Sequence, residues 1–151
     1  MFLAARAKTV QEHLERLDGL VDRGAVFGLW ERVRSTPPWP GPRLWIHGDL
    51  HPGNLLVSGG RLSAVIDFGD LAAGDPATDL AVMWMLLPAA ARAPLLTSAR
   101  GPFSSLDKHT IMRSRGWALA LGLTWLASSR NDEPMRAIGQ TAISAALNDS
   151  C

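Results

Sequence analysis

Asp49, Asn54 and Asp67 are the side chains of this sequence whose types and spacing best suit chemistry. Asp49 and Asn54 lie in His47-Gly48-Asp49-Leu50-His51-Pro52-Gly53-Asn54, and Asp67 stands in Ile66-Asp67-Phe68-Gly69. Pro52 and Gly53 force a compact loop that keeps Asp49 and Asn54 close. Carboxylate and carboxamide oxygens are hard donors. They suit Mg²⁺, which prefers one or two carboxylates completed by substrate phosphates. Such a donor set fits phosphoryl transfer, where positioning and charge neutralisation supply most of the catalysis.

A short hairpin must bring these groups together. Leu55-Leu56-Val57 is an apolar run that reads as a strand, and residues 62–66 read as a second. Between them, Ser58-Gly59-Gly60-Arg61 offers the positive φ that a tight hairpin turn requires. Asn54 then precedes the first strand and Asp67 follows the second, so antiparallel pairing places them side by side. Leu44-Trp45-Ile46 is a short buried strand feeding the loop, and the proline-rich stretch 35–42 is a stiff connector. Trp39 and Trp45 are expected to cover the core beneath the loop.

Helices should supply the body. Spacing predicts one over 9–20, with Leu14, Leu17 and Val21 inward, and, after a break at Gly24, a second over 25–33 that buries Phe27 and Trp30. Asp75 is a good N-cap and Pro76 a good first residue for a helix over 76–87, whose buried face would be Leu80, Met83, Trp84 and Leu87. Residues 89–96 form a helical patch weakened by Pro94, and 97–104 read as loop. The longest helix is expected over 106–127, and an amphipathic one from Asn131-Asp132-Glu133-Pro134 to about residue 147.

With these residues in view, the chain resembles a known family. His47-x-Asp49-Leu50-x-x-x-Asn54 matches the catalytic loop of protein kinases, and Asp67-Phe68-Gly69 matches their second metal-binding motif. The fuller wording, HGDLHPGNLLV followed by VIDFGDLAAGDPATDLA, is similar to the aminoglycoside phosphotransferase family, from about residue 21 to the end of the chain. The resemblance implies an α+β, mostly α-helical fold: a protein-kinase-like carboxy-terminal lobe with a small catalytic β-hairpin. It implies transfer of the ATP γ-phosphate to a hydroxyl of a small molecule, with Mg²⁺ as cofactor. Aminoglycosides, choline-like alcohols, homoserine and sugars are substrates of relatives, and the sequence does not choose among them.

The roles follow residue by residue. Asp49 is the candidate catalytic carboxylate, accepting or orienting the proton of the attacking hydroxyl. Asn54 and Asp67 are the candidate metal ligands. His47 is expected to pack behind the loop and fix its shape. His51 is expected either to contact the transferred phosphate or to serve in positioning. Asp79, one turn into an apolar helix, needs partners for its charge and is expected to accept from the backbone of the 47–49 loop. Asp75 is a helix cap and Asp70 has no assigned role.

Length and composition bound the rest. The 151 residues suit a single domain: 1–43 a helical lead-in and proline-rich connector, 44–75 the catalytic loop, hairpin and Asp67 segment, 76–151 a helical subdomain. Hydrophobic content of 47% with 19% charged residues describes a globular protein. A net charge of +1 and scattered arginines give no nucleic-acid footprint. The single cysteine, Cys151, excludes an intrachain disulfide and fits a reducing compartment. The apolar start is too short for a signal peptide, and no run approaches the ~18 residues of a membrane span. A cytoplasmic protein is expected.

No glycine-rich phosphate loop and no strand lysine for the nucleotide phosphates occurs in the sequence. The reading is therefore of a carboxy-terminal lobe whose amino-terminal nucleotide lobe is absent, so that self-association or capture of a separate lobe is expected. Two other readings stand beside this one. A non-catalytic remnant or partner-binding half would keep the fold and the motif. A metal-dependent hydrolase would use His47-x-Asp49-x-His51 with Asp67 around zinc.

Overall fold

The computed structural model describes residues 3–98 and 106–149. Within them α1 (Ala7–Arg16) and α2 (Arg23–Arg34) lead through the connector to β1 (Leu44–Ile46). The hairpin β2 (Leu55–Ser58) and β3 (Arg61–Val65) follows, then β4 (Ala72–Gly74). The rest is helical: α3 (Ala77–Leu80), α4 (Val82–Leu86), α5 (Ala89–Ser98), α6 (Lys108–Ser128) and α7 (Glu133–Asn148). The fold is α+β and mostly helical, with two small antiparallel sheets, β1–β4 and β2–β3.

The body is arranged around α6. Helices α1, α2, α3, α4 and α7 all pack on it, which is why residues 113–120 of α6 are buried on every side of the helix rather than on one stripe. Gly122 of α6 and Gly139 of α7 face one another. A Cβ on Gly139 would lie 2.8 Å from the Gly122 carbonyl oxygen, and one on Gly122 2.9 Å from that of Gly139. Only hydrogen at both positions lets the two backbones approach this closely. Trp84, Trp117, Leu29, Leu119 and Leu123 are fully buried. Burial of an aliphatic side chain of this size is worth about 1.5–3 kcal/mol.

Aspartates start three of the longer helices. Asp22 accepts from Ala25 N, Asp107 from Thr110 N and Asp132 from Met135 N, each taking up a helix N–H that has no partner within its helix. The Asp22 cap corrects the expected break at Gly24. With its cap at Asp22, α2 runs through Gly24 in the first turn.

Other expectations need correction. Helix α1 ends at Arg16, and Leu17 to Leu20 form a turn. Phe27 is 58% exposed, because α2 turns Val26, Leu29, Trp30 and Val33 to the body and Phe27 away from it. Trp45 is 79% exposed, because alternation in β1 spends the inward position on Ile46. Trp39 serves the connector instead of the core. Its indole N–H donates to the Pro42 carbonyl, and the Arg113 guanidinium lies 6.0 Å from its ring centre.

The helix expected over 76–87 is a rod interrupted at Ala81. Trp84 N bonds to Ala81 O, an i to i−3 contact that tightens the ladder there. Its buried face is Ala77, Ala81, Trp84 and Met85, while Leu80, Met83 and Leu87 are only half-buried. Strand β4 was not expected. Its sequence, Ala72-Ala73-Gly74, has no strand propensity of note, and only pairing with β1 makes it one. Most of the expected loop 97–104 lies outside the described residues, as does Cys151; Thr97 and Ser98 belong to α5.

Candidate active site

Asp79 is the anchor of the site. Its Oδ2 accepts from His47 N at 2.7 Å and its Oδ1 from Gly48 N at 3.0 Å. A helix therefore holds the loop through two backbone donors thirty-odd residues away in sequence, the arrangement expected of Asp79. Hydrogen bonds to a charged acceptor are stronger than those between neutral groups. Gly48 has φ +88°, and a Cβ there would run into the carbonyl of Asp70. The loop crosses the Asp67 segment at backbone distance, which only glycine permits. This crossing is the structural part that Asp70 plays.

His47 ties the two motifs together. Its Nε2 lies 2.8 Å from the Ile66 carbonyl oxygen, which can only accept, so Nε2 carries the proton. Nδ1 is then free to accept from Asp49 N at 3.4 Å. The ring also packs on Phe68, with centres 4.7 Å apart. His47 is buried between the loop before the hairpin and the segment after it, so it shapes both.

Asn54 is buried at the head of β2, after the 3₁₀ turn Pro52–Asn54. Its Nδ2 donates to the Asp49 carbonyl at 2.9 Å, which leaves Oδ1 as the atom able to meet a cation. Its own carbonyl accepts from Ile66 N at 3.0 Å, continuing the hairpin by one rung and setting Asn54 opposite the residue before Asp67. Asp67 has φ 62° and ψ 62°, the left-handed region, alone among the described non-glycine residues. Such a conformation costs an L-residue about 1–2 kcal/mol and is seen mostly where function demands it. The carboxylate is exposed and no described residue pairs with it. Of the expected group, the structure joins Asn54 to the Asp49 backbone and sets Asn54 opposite Ile66, the residue before Asp67.

The donors fit a hard cation. Asn54 offers a carboxamide oxygen and Asp67 an unpaired carboxylate, the ligand types of Mg²⁺. They do not fit the zinc hydrolase. Among the described residues no group of three His, Cys, Asp or Glu side chains gathers to hold a metal. His47 uses both ring nitrogens on the protein, and His51 Nδ1 accepts from Gly53 N at 3.1 Å.

One supporting device escaped the sequence reading. Arg113, buried in the second turn of α6, donates to Asp75 Oδ2 at 2.6 Å and to the Pro37 carbonyl at 2.8 Å. Asp75 Oδ1 accepts from Ala77 N at 3.0 Å while also receiving Arg113, but the expected cap moves by one residue: Pro76 holds the N-cap position of α3 and Asp75 precedes it. The connector, the end of β4 and the start of α3 are locked to the central helix through this pair. The signal was a cation inside a helix read as buried, which must find partners.

The arrangement is a carboxylate on a loop held rigid at its backbone, with a carboxamide before a paired hairpin and a second carboxylate after it. Residues 2–107 match the family model described as "Phosphotransferase enzyme family" (APH), a span that contains the whole loop, the hairpin and the Asp67 segment. The chain belongs to that family. It is also 38% identical over 71 residues to "Uncharacterized protein YcbJ" of Bacillus subtilis (strain 168). That match covers 41% of this chain and 23% of the relative, so the chain matches under a quarter of the relative's length. No solved structure matches the chain significantly. No helix among the described residues is long and apolar enough to cross a membrane.

Proposed function

We propose that this chain carries the catalytic and metal-binding half of an ATP-dependent phosphotransferase acting on a hydroxyl of a small molecule. The observation that supports this most is the Asp79-held loop, in which the Asn54 carboxamide bonds the Asp49 backbone carbonyl. Asp49 accepts the proton of the attacking hydroxyl. Asn54 Oδ1 and the Asp67 carboxylate hold Mg²⁺, which when bound neutralises charge on the nucleotide phosphates. His47 and Asp79 keep the loop in shape. We read residues 44–75 as the catalytic segment, 1–43 and 76–151 as its helical support, and the whole as a kinase-like carboxy-terminal lobe acting in the cytoplasm. The clamp on the phosphates is then supplied by another segment or another chain.

The test is isotope transfer from labelled ATP, with Mg²⁺, to a panel of aminoglycosides and small alcohols. Asp49→Asn should lower any transfer by several orders of magnitude, roughly 10³-fold or more, with an unchanged thermal melt. A variant retaining more than about a tenth of the parent rate would remove Asp49 from this role.

A second reading, a partner-binding half without turnover of its own, is favoured by one observation. Trp45, Val57, Leu62, Phe68 and Leu71 leave apolar surface exposed around the same hairpin. Transfer by a monomer, established by light scattering, would count against it.

A further inference from the structure

We infer that His51 is a positioning residue for Asp49, its imidazole locked as the Nε2–H tautomer by Gly53 and braced by Trp125. The catalytic consequence rests on the proposed phosphoryl transfer, whereas the lock rests on geometry alone.

Asp49 is held through its backbone. Its N–H donates to His47 Nδ1, and its carbonyl accepts from Asn54 Nδ2. Neither contact fixes the carboxylate. No described residue hydrogen-bonds that carboxylate, and the polar side-chain group the structure brings nearest to it is the His51 imidazole, with Nε2 3.6 Å from Oδ2. At that distance the contact is an electrostatic one, a few tenths of an ångström beyond a hydrogen bond. The rotamer of Asp49 therefore depends on what His51 presents to it.

The structure dictates what His51 presents. The Gly53 backbone N–H can only donate, and it points at His51 Nδ1 from 3.1 Å. In the neutral ring Nδ1 is the bare nitrogen, so the proton sits on Nε2, the atom that faces Asp49. Two further features keep the ring from turning over. A Cβ on Gly53 would lie 2.8 Å from His51 Cε1 and 3.0 Å from Nδ1, so the ring rests where any other residue would push it away. From the other side, the Trp125 indole of α6 meets the imidazole edge-on, ring centres 5.3 Å apart at 65°. The side chain of His51 is only 12% exposed. A donor hydrogen aimed at Asp49 is thus tied to the loop by Gly53 and to the central helix by Trp125.

Two measurements test this. The first is the long-range ¹H–¹⁵N spectrum of the histidine-labelled chain, at a pH where the ring is neutral. With four histidines in the sequence, His51→Asn identifies the resonances. The expected result is a proton on Nε2 of His51, and a loss of that preference in Gly53→Ala. A proton on Nδ1, or an even mixture of tautomers, overturns the lock. This measurement needs no enzymatic activity, so it decides the tautomer even if no acceptor is ever phosphorylated. The second measurement compares two variants in the transfer assay. His51→Gln can place a carboxamide N–H near the position of Nε2, whereas the shorter His51→Asn reaches only that of Nδ1. His51→Gln should keep about tenfold more kcat than His51→Asn, with KM for ATP and melting temperature alike in both. Equal kcat for the two variants, or a loss confined to KM, overturns the positioning role.

Discussion

In the helical body, Trp84, Trp117, Leu119 and Leu123 have lost essentially all contact with solvent, whereas on the β2–β3 hairpin Leu56, Val57 and Leu62 stay exposed. The first region is held by packing around α6. The second is held by a few directed bonds: Asp79 to His47 and Gly48, His47 to Ile66, Asn54 to Asp49. Packing is cooperative and tolerates small changes at any one place. Directed bonds fix atoms to fractions of an ångström, but each has no substitute. The comparison teaches that stability and site geometry are stored in different parts of this chain. They meet at α3, where Ala77 joins the core and Asp79 holds the loop.

Substitutions can break or sharpen that contrast. The largest effect on stability should come from the body. Trp117→Ala removes a fully buried ring and should cost about 3–5 kcal/mol in denaturant unfolding, while the protein that remains folded keeps its transfer rate. A proportional loss of specific activity would show that the two regions are coupled more tightly than described.

Asp79→Ala comes next. It leaves two loop N–H groups without their acceptor and should cost roughly 1–3 kcal/mol. Transfer should fall far more than stability, and amide exchange at His47 and Gly48 should accelerate. Unchanged exchange at those amides would mean that the loop is held by something else.

Asp67→Gly should move the two properties in opposite directions. Relief of the left-handed conformation should raise stability by about 1 kcal/mol, less the added chain entropy of glycine. Loss of the carboxylate should weaken Mg²⁺-nucleotide binding, read by calorimetry. A variant that binds as tightly as the parent would take Asp67 out of the metal site. Asn54 is a contrasting case, since it is buried and its Nδ2 supports the Asp49 carbonyl, so its removal should cost both stability and binding.

The smallest effect is expected at the α6 cap. The Thr110 N–H, followed by the Thr110 hydroxyl, holds the Asp107 carboxyl below its ordinary pKa. A depressed carboxyl stabilises the fold above its unfolded pKa and loses that contribution as pH falls through the folded value. Asp107→Ala should therefore cost about 1 kcal/mol at neutral pH. The gap in melting temperature from the parent should start to shrink as pH falls below the ordinary carboxyl value of about 4, and close once pH lies below the depressed folded value. A gap that persists there would mean that the loss is one of packing and not of charge.

The candidate site was legible to an unusual extent, because its parts are local. Asp49 and Asn54 share one glycine- and proline-bent loop, and a Gly59-Gly60 turn with positive φ at both residues closes the hairpin that brings Asp67 back. Asp79 was legible from a different rule, that a carboxylate on an apolar helix must find donors. The same rule applied to Arg113 would have found the Asp75 pair.

The places where the reading failed share one cause. Trp45, Phe27 and strand β4 depend on which neighbour lies alongside, and no local pattern contains that information. A tryptophan in a three-residue strand faces in or out according to which of its neighbours takes the buried position, here Ile46. Ala72-Ala73-Gly74 becomes a strand because β1 lies beside it. By itself the sequence determined the donor atoms, the compact loop, the hairpin and the helix starts, because these rest on covalent geometry and contacts a few residues apart. Tertiary structure alone decided the Gly122–Gly139 crossing, the backbone contact of Gly48 with Asp70, and the meeting of Trp125 with His51. Those contacts join segments far apart in the chain, and their energies exist only once the helices have packed.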